Sequence, residues 1–239
     1  MENSYSNAQP RTVVITGSAG NLGRAVAGAF AAQGANLVLM DLKREALAAV
    51  YGHEDEQRLF AATNLLDQNQ VNQAVATAMQ RFGRIDVLCN LAGGFRMGEP
   101  VHESSDQNWD FLFDLNSRTL LHTTRAIVPC MLAAGGGKII NVGAFAAQKG
   151  QAQMGLYTAA KSVVIRLTES MAAELRTKNI NVNCVLPTTL DTPENRAAMP
   201  NASPANWVAP EALADVIVFL ASDDARAVHG AALPVTGLS

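Results

Sequence analysis

Charge is scarce in this chain. Only 16% of its 239 residues are Asp, Glu, Lys or Arg, while 49% are apolar, the reverse of the balance that keeps a polypeptide disordered. Basic excess is missing too. Against 21 acidic residues stand 18 Lys and Arg, a net charge of −3, so the basic patch with which nucleic-acid binders grip phosphates is not expected. No apolar run approaches the ~20 residues that span a bilayer, and residues 1–10 lack the basic-then-apolar pattern of a secretory leader. Cysteine is confined to Cys89, Cys130 and Cys184, with no CxxC pair, which argues against a disulfide framework or a zinc knuckle. Each lies in an apolar segment and reads as a small core residue in a reducing, cytoplasmic setting. The histidines at 53, 102, 122 and 229 share no metal-ligand spacing, and His102-Glu103 has no second histidine to complete a zinc helix. No metal, nucleic-acid or membrane partner is expected.

What the chain does have is apolar segments of two alternating kinds. Short aliphatic runs at Thr12–Thr16, Asn36–Met40, Arg58–Ala62, Asp86–Cys89, Lys138–Val142, Ile180–Leu186 and Ala232–Val235 read as strands. Between them apolar residues recur at helical spacing. Leu22, Ala25, Val26, Ala29 and Phe30 end at Gly34, and Val71, Ala74, Val75, Ala78, Met79 and Phe82 end at Gly83. Further helices are expected from about Asn108 to Ala134, bent near Pro129, along Leu156 to Leu175, and at Glu211–Ala221. Strands apolar throughout are covered on both faces, as in a parallel sheet. Their alternation with helices gives a Rossmann-like, doubly wound α/β sheet in one domain spanning 11–239, after a flexible tail at 1–10. Segment 187–210 reads as irregular, and a loop of that length in a compact domain is usually a lid or substrate loop.

Two constellations carry chemistry. Thr16-Gly17-Ser18-Ala19-Gly20-Asn21-Leu22-Gly23 joins the first strand to the first helix. Glycines there let the backbone turn tightly and approach a pyrophosphate resting on the helix N-terminus. Asp41, 18 residues beyond Gly23 at the end of the second strand, suits a carboxylate that bonds ribose hydroxyls and repels a 2′-phosphate. NAD(H) is therefore preferred over NADP(H), although Lys43 and Arg44 follow closely. The bland alternative makes Asp41 the cap of the next helix. The second constellation is Tyr157 and Lys161, four residues apart on one helix face. An ammonium beside a phenol lowers its pKa toward the range useful for proton exchange at a carbonyl.

With these motifs on one strand–helix frame, the sequence resembles the short-chain dehydrogenase/reductase family from Thr12 to about Val235. The other landmarks are Asn90-Leu91-Ala92-Gly93, Asn116, and Pro187 with Thr192. The resemblance implies a seven-stranded parallel sheet, an NAD cofactor, a small-molecule substrate and a homodimer or homotetramer. It implies that Tyr157 is the general acid/base, that Lys161 tunes it and holds the nicotinamide ribose, and that Asn116 anchors a water in a proton relay. Gly17, Gly20, Asn21, Leu22 and Gly23 would cradle the pyrophosphate, and Asp41 would take the ribose. Asn64, in place of the family's usual Asp, and Leu65 would flank the adenine. Asn90, Ala92 and Gly93 would line the cofactor, and Thr192 with Pro187 and the backbone near Leu190 would hold the carboxamide.

The chain departs from the family in two further places. Asn21 stands where most single-domain members have Gly. The family's catalytic serine lies thirteen residues before the tyrosine, where this chain has Ala144; Asn141-Val142-Gly143-Ala144-Phe145-Ala146-Ala147 contains no hydroxyl. Loss of such a donor commonly costs about 10²–10³ in rate. A branch without that serine, dihydropteridine reductase, resembles this chain at Asp191-Thr192-Pro193-Glu194-Asn195-Arg196, Met199-Pro200 and Trp207, and at Ala92-Gly93-Gly94-Phe95. Phe95 would stack on a flat substrate or pack inside, Ala144 would face that substrate, and Trp207 would line the lid or staple it to the core. Three readings follow: a reductase of quinonoid pterin-like acceptors, an ordinary alcohol, ketone or 3-oxoacyl dehydrogenase, and a non-catalytic dinucleotide sensor. Retention of Tyr157 with Lys161 argues against the sensor.

Overall fold

The central strands of this protein are mostly apolar, and the sheet buries both of its faces. In the computed structural model, which describes residues 9–238, seven strands lie parallel in the order β3-β2-β1-β4-β5-β6-β7. They are β1 (Thr12–Thr16), β2 (Asn36–Asp41), β3 (Arg58–Ala62), β4 (Val87–Asn90), β5 (Gly137–Val142), β6 (Ile180–Pro187) and β7 (Ala232–Val235). Helix α1 (Asn21–Ala31) packs with α8 (Pro210–Leu220) on one face, over Val13, Ile15, Leu37, Leu39 and Val185. On the other face α3 (Gln68–Phe82), α5 (Thr119–Ala134) and α6 (Gly155–Leu175) cover Val14, Val38, Leu88, Ile139 and Val182. Residues alternate between the two cores along each strand, as the pleat requires. Strand order reverses between β1 and β4, and in such sheets the crevice beyond the carboxyl ends at the reversal is where ligands bind.

The structure corrects three expectations. The helix expected as one piece from Asn108 to Ala134 is two, α4 (Asp106–Phe113) and α5, joined by a π-helical turn at Asp114–Arg118. A π turn holds one residue more than an α turn, a local insertion that no single residue type marks in the sequence. Segment 187–210 is not irregular throughout: Pro193–Ala198 forms α7, with Pro193 in its first turn and Thr192 as its cap. A helix the sequence pattern did not mark, α2 (Arg44–Tyr51), follows β2 and buries only Leu47 fully. Of the expected N-terminal tail, residues 1–8 lie outside the described residues. Cys89 and Cys184 are buried, Cys130 is partly so, and all three are free thiols. No helix among the described residues is long and apolar enough to cross a membrane.

Candidate active site

The glycine loop is built by close backbone approach. Gly17 has φ +62°, and a Cβ there would stand 3.1 Å from the Ala92 Cα. Gly20 N donates to the Gly17 carbonyl at 3.1 Å, closing the turn. Helix α1 then starts from Gly20 with no side-chain cap and no acidic residue in its first turn. The N–H groups of that turn are left for an anionic ligand, which the helix dipole also favours. Thr16 Oγ1 accepts from Leu91 N (3.0 Å) and Ala92 N (3.1 Å), fixing the end of β4 beside the loop. Tyr51 Oη donates to the Ser18 carbonyl at 2.6 Å, and burial raises its pKa. Sequence reasoning missed this buttress, because Tyr51 ends a helix whose apolar face is too narrow to register.

Asp41 closes the cradle at the end of β2. Its Oδ2 accepts from Ala19 N (2.9 Å) and its Oδ1 from Leu42 N (2.8 Å). The cap position of α2 belongs to Lys43, so Asp41 is not the helix cap of the bland alternative. Arg44 is drawn away to Glu54 and the Phe60 carbonyl. The resulting cleft is lined by Gly17, Ala19, Gly20, Asn21, Leu22, Gly23, Asp41, Leu91, Ala92, Gly93, Leu190 and Thr192. Asn21 Nδ2 reaches across to Glu194 on α7 at 2.7 Å, so the residue that departs from the family's glycine ties the glycine loop to α7.

Not every expected cofactor residue faces this cleft. Asn90 is buried: its Nδ2 donates to Asn141 Oδ1 (2.9 Å) and its Oδ1 accepts from Thr123 Oγ1 (2.7 Å). Asn141 continues to Thr168 on α6 at 2.8 Å, so Asn90 acts inside the sheet, fixing α6 to β4 and β5. The Leu65 side chain joins the core and its carbonyl meets His122 Nδ1 at 2.9 Å. Asn64 is exposed in a turn, accepting from Leu66 N. Pro187 is buried at the end of β6, and the Leu190 carbonyl takes Asn195 Nδ2 at 2.8 Å. Trp207 is not among the residues that line this cleft, and its carbonyl packs against Gly237.

The second half of the site surrounds Gly93. A Cβ on Gly93 would fall 2.8 Å from Asn116 Oδ1 and 3.0 Å from Lys161 Nζ, so the cleft ends where these two side chains converge. The π turn directs Asn116 inward. Its Oδ1 accepts from Gly94 N (3.1 Å), and its Nδ2 donates to Gly94 O (3.0 Å) and Leu112 O (2.9 Å). That carboxamide clamps the loop after β4. Lys161 is buried, its ammonium donates to the Val142 carbonyl at 2.9 Å, and burial lowers its pKa to about 8. Tyr157 lies one turn earlier on α6, and burial pushes its phenol up to about 12. The expected lowering by Lys161 is overturned here: the ammonium faces Val142, and desolvation of the phenol decides the direction. Phe95 meets the Tyr157 ring edge-on, centroids 4.8 Å apart at 88°, while remaining 54% exposed. Ala144 is buried at the end of β5.

Beyond Tyr157 a second pocket opens, lined by Arg96, Met97, Glu99, Ser104, Asn108, Leu112, Gln153, Met154, Gly155, Leu156 and Tyr157. Gln153 has φ +60°, a conformation costly for a residue with a side chain, and its carbonyl accepts from Gly98 N at 2.8 Å.

Comparison with known proteins agrees with this architecture. The short chain dehydrogenase family matches residues 11–202. A sorbitol dehydrogenase from Cereibacter sphaeroides is 36% identical over 182 residues, 76% of this chain and 71% of that protein. Among solved structures, carveol dehydrogenase from Mycobacterium avium in complex with NAD superposes with a TM-score of 0.86 at 27% identity, covering 95% of this chain and 96% of that one. A 3-ketoacyl-(acyl-carrier-protein) reductase from Brucella melitensis complexed with NADH gives a TM-score of 0.85 at 26% identity, covering 96% and 98%. The chain belongs to the short-chain dehydrogenase family.

Proposed function

We propose that this protein moves a hydride between a nicotinamide dinucleotide and a small alcohol or carbonyl substrate, with Tyr157 as the proton carrier. The observation that carries this reading is Gly93, against which the glycine-loop cleft ends and Lys161 and Asn116 converge. The cleft suits the cofactor on its own chemistry: an uncapped helix start for the pyrophosphate and a fixed carboxylate, Asp41, for ribose hydroxyls. When bound, the nicotinamide supplies or accepts the hydride. In reduction the Tyr157 phenol donates its proton to the carbonyl oxygen; in oxidation the phenolate takes the proton of the alcohol. Lys161, its ammonium anchored on the Val142 carbonyl, holds the nicotinamide ribose. Asn116 keeps Gly94 in place, and its turn would anchor a relay water. Thr192 and the backbone at Leu190 bound the nicotinamide end. The exposed Trp109, stacked on Phe113, with Leu121 and Leu132 nearby in sequence on α5, favours a homodimer or homotetramer that covers them.

Asp41 sets the preference for NADH. Its two oxygens are held by backbone N–H groups, so it cannot swing aside for a 2′-phosphate. The parent is expected to favour NADH over NADPH, and Asp41→Ser is expected to narrow the kcat/KM ratio by about 10- to 100-fold, the worth of charge-assisted bonds lost and repulsion relieved. Equal kcat/KM for both cofactors in the parent refutes this role.

A second reading, a quinonoid pterin-like acceptor, is favoured by Ala144. A ketone gathers charge on one oxygen, which a second hydroxyl would stabilise, whereas a conjugated ring spreads it over several heteroatoms. The exposed Phe95 ring, edge-on to Tyr157, offers a flat substrate an aromatic wall. Turnover with NADH and NADPH over ketones, quinones and quinonoid dihydropterin separates the readings. Under the pterin-like reading Ala144→Ser raises ketone reduction by about tenfold or more and leaves the conjugated acceptor little changed. A parent that reduces simple ketones at ordinary rates and ignores conjugated acceptors rejects it.

A further inference from the structure

The pocket beyond Tyr157 contains two charged side chains, Arg96 and Glu99, and their hydrogen-bonding states differ. Glu99 is engaged: Oε1 accepts from Asn108 Nδ2 at 2.6 Å and Oε2 from Ser105 N at 3.3 Å, so its charge steadies the start of α4. Arg96 is positioned but not neutralised. Its guanidinium carbon lies 3.6 Å from the centroid of the Phe111 ring, and its Nη1 donates to Asn108 Oδ1 at 2.7 Å. Among the described residues no carboxylate oxygen stands within 4 Å of it. A guanidinium carries five N–H donors in one plane, and Asn108 takes one. Phe111 covers the guanidinium at its ring, which leaves the remaining donors free for a carboxylate, a group that a guanidinium can hold through two parallel bonds. The backbone beneath is held as well, by the clamp of Asn116 on Gly94 and by the Gly98–Gln153 bond.

We propose that Arg96 is a substrate-recognition residue and that the substrate is an alcohol or ketone bearing a carboxylate, its carbinol or carbonyl carbon at Tyr157 and its carboxylate on Arg96. This deepens the oxidoreductase reading and rests on it. Arg96 is exposed, and its contacts with Phe111 and Asn108 lower the rotamer-entropy cost of binding. Asn108 links Arg96 to Glu99, so the acid holds the cation's bridge in place without occupying its free donors.

The test uses the full-length protein with NAD and two hydroxycarboxylates, 3-hydroxybutyrate and 4-hydroxypentanoate, each beside its methyl ester. The acids are expected to exceed their esters in kcat/KM by about 10- to 100-fold, the worth of a charge-assisted bidentate contact. In Arg96→Gln that ratio falls toward one, mainly through KM, and Arg96→Lys restores part of it, since a lysine keeps the charge without the flat fork. A parent with equal kcat/KM for acid and ester overturns the proposal while leaving the oxidoreductase reading intact. So does an Arg96→Gln variant that loses acid and ester alike, which would mark Arg96 as a prop for the loop. Calorimetry of the two acids against the NAD-loaded protein covers the case of no turnover. Binding that Arg96→Gln abolishes sustains the carboxylate site and shows that the carbinol carbon of these two acids misses Tyr157; no binding at tens of millimolar overturns the proposal.

Discussion

Tyr157→Phe is expected to lower kcat by about 10²–10⁴, the range a positioned general acid contributes, with NADH affinity close to the parent's. The phenol touches the reacting oxygen in the proposed chemistry, whereas the dinucleotide rests on the glycine loop, Asp41 and the lid. The substitution removes one hydroxyl and keeps the ring, so the edge-on contact with Phe95 at 4.8 Å survives and the fold is undisturbed. Stopped-flow binding of NADH and steady-state kinetics together separate the two effects. Full activity in Tyr157→Phe would assign the proton to another group. The same pair gives the pH profile its sign. In reduction the phenol must be protonated, which a pKa near 12 guarantees through neutral pH, and the ammonium must be charged. Lys161, lowered by burial to about 8, loses its charge above that pH. The kcat/KM for reduction, which reports groups of the free enzyme, should therefore be flat below about pH 8 and fall above it.

The frame was legible because its signal is strong. Strands buried on both faces are dominated by apolar residues, and runs such as Val13–Ile15 and Leu37–Met40 announce them. The phosphate loop, Asp41 and the Tyr157–Lys161 spacing were legible because each depends on short-range sequence. What stayed hidden depends on long-range contact. Asn90 looks like a cleft residue by position, yet Asn141 and Thr123 turn it into a strut within the sheet. Asn116 projects inward through a π turn that no single residue type marks in the sequence. Tyr51, which braces the glycine loop, has no local mark, since its partner lies 33 residues away along the chain. The pKa of Tyr157 was misjudged for the same reason: spacing places Lys161 beside it, but only packing shows the ammonium on Val142 and the phenol desolvated.

Gly23→Ala and Gly28→Ala should move stability in opposite directions although both sit in α1. A Cβ on Gly23 would stand 2.3 Å from the Gly17 carbonyl oxygen and 2.6 Å from the Ser18 Cα. Both are backbone atoms of the phosphate loop, and they cannot yield as a side chain would. Gly17 is held by its left-handed turn against Ala92, and Ser18 by its N–H and hydroxyl on the Met40 carbonyl and by Tyr51 on its own carbonyl. Either α1 lifts off the loop or the loop opens. Overpacking of a fixed core costs about 1–3 kcal/mol or more, and the displaced helix start takes the pyrophosphate site with it. Gly28 is exposed in the middle of the same helix and has nothing within 4 Å of its would-be Cβ. Alanine there should stabilise by about 0.5–1 kcal/mol, the helix-propensity difference. Thermal unfolding in the absence of cofactor reads the two stabilities, and NADH titration reads the site. Gly23→Ala should lose at least about tenfold in NADH affinity, since 1.4 kcal/mol of displaced contact suffices for that, while Gly28→Ala binds as the parent does. A Gly23→Ala protein with parental stability and affinity would mean that the loop has slack, and that helix α1 is not pinned to the glycine turn by contact.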